Sequence, residues 1–382
     1  MILLIFFWLG LVMGFDDAAE LETMCSGGVA VACTSLGNRA VAKDEVAAAE
    51  RWERACKLGD PVGCSNLGVL RVRGVGGVPD LPGALAAFTT GCDKKGYSAC
   101  FYLANLYREG RGVKADAAAA AKLYTLGCDG QHAPACYELG LLLDRGSGVP
   151  RDPAASAARF SEGCLLGDGP SCGQLGWALL TAGKASDAAG VFERACTKGD
   201  NFSCFNLAHQ LEVGDGVPAD APRAVALYQR GCDAAVAGAC SALGRMIEDG
   251  RGVAADPARA RSLYASACDA GDPAGCTSLG ALLLSRSPTS DDVDQARTLF
   301  KKACAAGERA ACFNVGAVDE ATGNTASAAK IYEDECGKGY AFACSALGDL
   351  YATGSGVAQD VVKAAAFKKK GCEAGDRAAC PR

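Results

Sequence analysis

The feature that most constrains this chain is a cysteine pair, written C-x7-C, that recurs eleven times. From the second cysteine of one pair to the first of the next, the step is 28 residues in seven cases, 24 in two and 23 in one. A fixed pair within a period near 36 residues is typical of a solenoid in which each repeat packs on its neighbours. The pairs are Cys25 and Cys33, Cys56 and Cys64, Cys92 and Cys100, Cys128 and Cys136, Cys164 and Cys172, Cys196 and Cys204, Cys232 and Cys240, Cys268 and Cys276, Cys304 and Cys312, Cys336 and Cys344, and Cys372 and Cys380.

Disulfides are the chemistry that fits these cysteines. Their number, 22, is even, and the chain has only two histidines, His132 and His209. Zinc sites favour two to four residues between neighbouring ligands, whereas the gap here is always seven. We therefore predict no metal or other cofactor. Because disulfides persist outside the reducing cytosol, the pattern also predicts a secreted or periplasmic protein.

The sequence between the pairs predicts two helices per repeat. After the second cysteine, a leucine at the third position and a small residue at the fourth recur, as in Leu67 and Gly68. Before the first cysteine the pattern is A-x3-aromatic-x3-C, as in Ala120, Tyr124 and Cys128. These spacings place the residues on one helix face. We call the two predicted helices A and B, and attribute the recurrent glycine to close approach of a neighbouring helix.

The connection from helix A to helix B carries G-x-G-V-x-x-D in five repeats, as in Gly110, Gly112, Val113 and Asp116. Glycine permits the positive φ at which helix A ends, and the aspartate can cap helix B. The repeats that begin at Cys33, Cys172 and Cys312 lack part of this connection. The repeat from Cys276 keeps the length but replaces the glycines and retains Asp292.

Each disulfide is predicted to lie within one pair, where the chain reverses. On a continuous helix the two cysteines would lie about 12 Å apart, but a disulfide needs Cα atoms roughly 4.4–6.8 Å apart. A glycine stands three residues after the first cysteine in eight pairs, as at Gly59, and suits the end of a helix. Asp60 and Pro61 then suit the cap and first residue of the next helix. The bond would thus join helix B to the following helix A.

The first fourteen residues are apolar and are followed shortly by Asp16 and Asp17. A spanning helix needs about 20 apolar residues, so this stretch instead fits the core of a secretory signal. An uncleaved membrane anchor and a misplaced start codon are the alternatives. We therefore divide the chain into a signal peptide over residues 1–14, a lead-in over residues 15–24 and the repeat array over residues 25–382. The mature chain is predicted to contain no membrane span.

The repeats resemble the Sel1-like repeat, a relative of the tetratricopeptide repeat. One copy is carried by Ala99, Leu103, Ala104, Tyr107, Gly110, Gly112, Val113, Asp116, Ala120, Leu123 and Tyr124. The added C-x7-C pair is similar to the Helicobacter cysteine-rich protein family, whose members are secreted. The resemblance implies an all-α, right-handed α/α superhelix of about ten disulfide-linked repeats. It also implies a concave face lined by helices A, and a role as an adaptor for protein ligands.

Some cysteine-rich relatives are associated with penicillin binding and weak β-lactam hydrolysis, so the resemblance raises β-lactamase activity as an alternative. A serine β-lactamase uses a serine one helical turn before a lysine, with S-D-N and K-T-G elements. The only S-x-x-K joins Ser327 to Lys330, and neither other element occurs. His132 and His209 are predicted to be ordinary turn and helix residues. We therefore favour a binding protein over an enzyme, and keep an architectural envelope protein as a third hypothesis.

A polar position on helix A provides the candidate binding residues. It stands two residues after the second cysteine, and its members are Asn66, Glu138, Gln174, Asn206 and Asn314. If this row faces the concave surface, the side chains can hydrogen-bond an extended peptide, so the predicted partner is a protein or peptide. The net charge is −6 and cationic residues are not clustered, which argues against nucleic acid.

Overall fold

The computed structural model describes residues 17–75, 77–285 and 287–380. Within these residues the chain is all-helical and no strand occurs. The predicted signal peptide over residues 1–14 lies outside the described residues. The helices fall into two compact units that divide after Asp200.

The described part of the first unit, from residue 17 to residue 200, holds eleven helices. In chain order they are α1 (Ala18–Ser26), α2 (Ala30–Ala40), α3 (Glu45–Lys57), α4 (Pro61–Arg73), α5 (Leu81–Asp93), α6 (Tyr97–Glu109), α7 (Ala117–Asp129), α8 (Ala133–Arg145), α9 (Pro153–Leu165), α10 (Gly169–Thr181) and α11 (Ala185–Thr197). From α2 onward they form five hairpins, each with one helix A and one helix B. Helix α1 lies largely in the predicted lead-in, and its Leu21 packs in the same core cluster as Leu36 of α2.

The second unit repeats the same pattern in five further hairpins. Its helices are α12 (Asn201–Val213), α13 (Ala221–Asp233), α14 (Ala237–Glu248), α15 (Pro257–Asp269), α16 (Pro273–Leu284), α17 (Ser290–Ala305), α18 (Arg309–Ala321), α19 (Thr325–Gly337), α20 (Ala341–Thr353) and α21 (Val361–Glu373). A short 3₁₀ helix, Arg377–Ala379, follows. The ten hairpins confirm the predicted number of repeats and the predicted solenoid fold.

The disulfides lie where the sequence places them. Ten bonds join the two cysteines of a single C-x7-C pair, with Cα atoms 4.5–4.8 Å apart. Cys196 and Cys204 are disulfide-bonded as well, and no described cysteine is free. The ten bonds join Cys25 to Cys33, Cys56 to Cys64, Cys92 to Cys100, Cys128 to Cys136, Cys164 to Cys172, Cys232 to Cys240, Cys268 to Cys276, Cys304 to Cys312, Cys336 to Cys344, and Cys372 to Cys380.

The predicted chain reversal is confirmed at these bonds, with one difference at the last of them. Nine of the ten join the end of one helix to the first turn of the next, as Cys56 at the end of α3 joins Cys64 in the first turn of α4. The tenth joins Cys372 of α21 to Cys380, which directly follows the 3₁₀ helix instead of lying inside a helix A.

In most pairs the residues directly before the two cysteines are small, and this allows the chain to reverse. The predicted pattern does not include this signal. A Cβ added at Gly91 would lie 2.8 Å from the Cβ of Ala99, and one added at Gly127 would lie 2.7 Å from that of Ala135. Such positions leave no room for two larger side chains. Met24 and Glu335 are the exceptions, and Glu335 is buried with its carboxylate 2.8 Å from the ammonium group of Lys338.

The recurrent helix A glycine faces the aromatic ring of helix B in the same hairpin. A side chain at Gly68 would overlap the ring of Phe88, and one at Gly244 would lie 2.7 Å from the ring of Tyr264. Both rings are almost fully buried. The prediction of close approach is confirmed, and the group that approaches is a ring.

Aspartate caps most helices B that follow the glycine loop. Asp116, for example, accepts a hydrogen bond of 2.9 Å from the backbone N–H of Ala119. The hairpin from Cys276 differs from the prediction, because Asp292 is not the cap of its helix B. Thr289 caps α17, and Asp292 accepts a hydrogen bond from the backbone N–H of Thr289 in a capping box. This helix therefore begins about one turn earlier than its counterparts.

Candidate functional site

The five predicted binding residues lie on helices A, and each is half-buried. The amide of Asn66 donates a hydrogen bond of 3.1 Å to Asn38 of the preceding helix A. The carboxylate of Glu138 accepts one of 2.7 Å from Arg108, also on the preceding helix A. These two residues thus link neighbouring hairpins, in addition to any role in binding.

A groove on the helix A face of the first unit brings one member of the row together with aromatic residues. It has a volume of about 660 Å³, and α4 and α6 form its two sides. Asn66 lies on one side, Tyr97 and Tyr102 on the other, and His132 of the next turn closes one end. Tyr97 is 38% exposed and Tyr102 is 36% exposed, so their rings are accessible to a ligand.

Ring stacking holds the aromatic side of this groove in place. Tyr102 stacks on Phe88 with ring centroids 5.4 Å apart, and Phe101 contacts the ring of His132 at 4.9 Å. Burial lowers the pKa of His132, only partly opposed by a backbone hydrogen bond, so this ring is neutral at pH 7. The groove therefore presents neutral rings and an amide together with two cationic side chains, Arg73 and Lys95.

Tyr97 and Tyr102 were not among the predicted binding residues. Tyr102 occupies the row position itself, two residues after Cys100, but the prediction was restricted to hydrogen-bonding amides and carboxylates. Tyrosine combines a large apolar contact area with a polar tip and is enriched at protein interfaces. The aromatic residue in a row that is polar in most repeats was the available signal.

The S-x-x-K motif has a structural role at a helix start. Ser327 lies in the first turn of α19, and its hydroxyl donates a hydrogen bond of 2.7 Å to Asp319, a buried carboxylate. Asp319 also accepts a hydrogen bond of 3.1 Å from Arg297. A carboxylate that already has an arginine partner holds the hydroxyl in place, and nothing here supports the β-lactamase alternative. His132 begins α8, and the exposed His209 lies on α12, as predicted.

One cluster of metal-type ligand atoms occurs among the described residues, formed by Cys128, Cys136 and Glu162. The two sulfur atoms are already joined in a disulfide. A disulfide sulfur is not a thiolate and does not ligate a metal as one. The cluster is therefore a covalent link with an acidic neighbour.

Buried tyrosines on helices B of the second unit are each paired with a glutamate on helix A. Tyr228 donates its hydroxyl to Glu212 at 2.7 Å, Tyr264 to Glu248 at 2.7 Å, and Tyr332 to Glu320 at 3.0 Å. Each glutamate stands eight residues after the second cysteine of its pair. Burial, and then the hydrogen bond to the glutamate, raise the pKa of all three tyrosines.

Glu212 has the most partners of these glutamates. Besides the tyrosine, it lies 3.0 Å from both Arg245 and Arg251, and its side chain is only 5% exposed. Burial alone would raise the pKa of Glu212, but the hydrogen bond from Tyr228 and the two arginine charges outweigh it and lower the pKa. The carboxylate is therefore more acidic in the folded chain than in the unfolded one.

We expect Glu212→Gln to reduce the acid sensitivity of the chain. A folded-state pKa below the unfolded value near 4.3 means that the carboxylate stabilises the fold above about pH 4.3. This stabilisation is lost as the pH falls through the lower, folded pKa. At pH 7 the variant should be less stable by about 1–2 kcal/mol, since hydrogen bonds to a charged group are lost. Toward pH 3 its stability should approach that of the parent chain.

Urea unfolding at a series of pH values between 3 and 7 measures this effect. Glu373→Gln is the matched control, because the side chain of Glu373 is 65% exposed and lies 3.8 Å from Lys369. The control should follow the parent chain at every pH. A Glu212→Gln deficit that is the same at pH 3 and pH 7 would contradict the assigned role.

The described part of the chain includes no helix that is both long enough and apolar enough to cross a bilayer. This finding concerns the helices from α1 to α21 and does not extend to the predicted signal peptide.

Comparison with known proteins identifies the repeat. Six segments match the Sel1 repeat, and they cover more than half of the chain: residues 98–132, 133–162, 202–236, 237–272, 273–308 and 341–376. No curated protein matches the chain. Among solved structures, c5321 of uropathogenic Escherichia coli, a protective antigen with an SLR fold, is 25% identical with a TM-score of 0.77, covering 95% of this chain and 80% of its own.

Two further solved structures are similar over different lengths. A Sel1 repeat protein from Oxalobacter formigenes is 24% identical, with a TM-score of 0.49, and the match covers 86% of this chain and 87% of that one. Cysteine rich protein B of Helicobacter pylori is 23% identical, with a TM-score of 0.29, and the match covers 36% of this chain and 94% of that one. The match to the Escherichia coli antigen spans nearly the whole chain and agrees with the fold described above.

Proposed function

The chain belongs to the Sel1 repeat family, and on that premise we propose that it is a secreted or periplasmic scaffold that binds a protein or peptide ligand. Sel1 repeats form a scaffold typical of protein–protein interaction. The proposal adds to this the compartment, the class of ligand and the surface that the ligand contacts.

The groove between α4 and α6 is the observation that carries the proposal. Pockets of about 300–1,000 Å³ that combine apolar or aromatic walls with a few polar groups are typical binding sites, and this groove has a volume of about 660 Å³. The rings of Tyr97 and Tyr102 offer contact area at a low cost in side-chain entropy. The amide of Asn66 can hydrogen-bond the backbone of an extended peptide. We place the concave, ligand-binding surface of the first unit here.

The disulfides support the proposed compartment. Disulfides are rare in proteins of the reducing cytosol, and this chain carries one at the junction of almost every pair of hairpins. An apolar leader over residues 1–14 would take the chain to a compartment in which they form. Export in a bacterial host, with retention of all disulfides, is what the proposal expects.

Selection of peptides tests the proposed groove. Linear 12-residue peptides would be selected from a displayed random library on the oxidised full chain, and their Kd measured by calorimetry. We expect Tyr102→Ala to weaken the selected peptides at least tenfold, since an aromatic residue at an interface centre is often a hot spot. Asn66→Ala should weaken peptide binding less, by the free energy of one hydrogen bond.

Ser278→Ala is the matched control, because Ser278 occupies the same row position in the second unit. It should leave the Kd unchanged, and thermal unfolding should show that each variant is folded. Peptides that bind the parent and the Tyr102→Ala chain equally well would contradict the proposed surface. A library that yields no peptide dependent on either groove residue would contradict the proposal as a whole.

A further inference from the structure

A second groove lies in the second unit, and no residue that the structure describes fills it. It has a volume of about 490 Å³ and is formed by the end of α16, the start of α17 and the second half of α18. Leu284, Val293, Phe300 and Val318 form its walls, and Asn314 lies at its edge. Among the described residues, none that lines it is charged. In this it differs from the groove of the first unit, whose lining includes Arg73 and Lys95.

Intact glycine loops show what covers the equivalent surface elsewhere in the chain. Val149, in the loop between α8 and α9, is half-buried between exposed neighbours and packs on a core cluster that includes Leu142. Val357, between α20 and α21, packs in the same way on a cluster that includes Leu350. Both leucines stand six residues after the second cysteine of their hairpin. In these two hairpins a loop valine therefore packs on the cluster to which this residue of helix A belongs.

The hairpin formed by α18 and α19 lacks the loop that would supply this valine. Its residue six positions after Cys312 is Val318, which lines the groove. Helix α18 ends at Ala321, and only three residues, Thr322, Gly323 and Asn324, precede α19. The preceding loop does not compensate, since Thr289, which caps α17, stands where other loops carry valine. The groove therefore lies beside the position of helix A whose cluster is packed by a loop valine in the α8–α9 and α20–α21 hairpins.

Another hairpin with the same shortened loop carries a large side chain nearby. Helix α10 is joined to α11 by three residues, and Trp177 stands five residues after its Cys172. The residue at the corresponding position of α18 is Ala317, which lines the groove. Alanine at this position leaves the groove open, whereas a tryptophan would extend across it.

We propose that this groove receives a branched aliphatic side chain, valine or isoleucine, from a turn of a partner polypeptide. This inference rests on the proposed function and specifies one of its contacts. The chain itself uses a valine on a glycine turn at the equivalent places, and the uncharged walls disfavour an acidic or basic side chain. The volume accommodates the side chain together with part of the turn that carries it. The amide of Asn314 is placed to hydrogen-bond the backbone of that turn.

A peptide that copies one of the chain's own loops is the probe. It spans residues 143–152, is cyclised through its ends to hold the turn, and presents Val149. Binding to the oxidised full chain would be measured by saturation-transfer NMR on the valine methyl groups, with a titration for the Kd. We expect Ala317→Trp to weaken binding at least tenfold. The peptide with Val149→Thr, which has nearly the same shape but a hydroxyl group, should bind the parent chain at least fivefold more weakly.

His209→Trp is the matched control, because His209 is an exposed residue at the same position of α12, a helix whose hairpin keeps its loop. It should bind the probe like the parent chain. Equal binding by the parent and Ala317→Trp chains would overturn the inference, as would no binding of the probe to the parent. Self-association of the parent that Ala317→Trp abolishes, seen by sedimentation, would also overturn it by making a second copy the occupant. Tyr102→Ala should retain the probe, so failure here is separable from failure of the first groove.

Discussion

Reduction of the disulfides should unfold this chain at neutral pH and room temperature. Each bond closes a loop of about nine residues, and such a closure stabilises the native state by about 2.5 kcal/mol in the chain-entropy model. Removing many of them exceeds the roughly 5–15 kcal/mol by which an ordinary domain is stable. Hairpins rich in glycine and alanine bury little apolar surface per residue, so packing cannot replace the lost bonds. Far-UV circular dichroism before and after incubation with dithiothreitol measures the loss of helix.

Removal of a single disulfide measures how much one bond contributes to the stability of the chain. The double variant Cys128→Ala, Cys136→Ala should lose about 2.5 kcal/mol of unfolding free energy while keeping its helical signal. Mass spectrometry of the unreduced chain should recover each link within one C-x7-C pair, and reoxidation should restore the helix. A reduced chain that keeps its circular dichroism spectrum and its melting temperature would show that the bonds are not needed for folding.

Gly68→Leu should destabilise the chain by about 3 kcal/mol, the upper end of the range for overpacking a core. Any side chain at this position overlaps the ring of Phe88, which is 1% exposed and has no free space into which to move. Leucine is the better helix former, so propensity alone would predict the opposite sign. Chemical unfolding of the oxidised chain measures the difference.

Gly173→Leu is the matched control in the same unit. Gly173 lies inside α10 and has nothing within 4 Å of an added Cβ, so leucine should leave stability unchanged or raise it by about 1 kcal/mol. In a Phe88→Ala background the cost of Gly68→Leu should shrink, because the ring that it overlaps is gone. The two leucine variants would have equal stability if the glycine were required only for its backbone freedom, and that result would contradict the packing argument.

The sequence predicts the proposed binding surfaces less completely than it predicts the repeat. The row that includes Asn66 was identified from its position on helix A, but its pairing with Asn38 was not. Tyr102 lies in the same row, but it carries an aromatic ring instead of the amide or carboxylate that defines the predicted residues. The shortened loop after α18, which leads to the groove beside Ala317, is visible in the sequence. Whether such a loop leaves an open groove depends on how three helices pack around it.

The cap of α17 shows why local rules can choose the wrong residue. Asp292 matches the repeat pattern, but a threonine and a serine shortly before it let the helix begin one turn earlier. The capping box satisfies two backbone N–H groups, those of Asp292 and Thr289. The pattern alone could not rank these two solutions.

The sequence by itself determined the repeat, the number of hairpins and the pairing of the cysteines. These depend on local chain geometry, since a bond across seven residues forces a reversal wherever it forms. Only the tertiary structure decided which ring fills the space at each glycine, which acids pair with buried tyrosines, and where a groove stays open. Those features depend on side chains from different helices that share the same volume, and the spacing of residues along the chain does not encode how they pack.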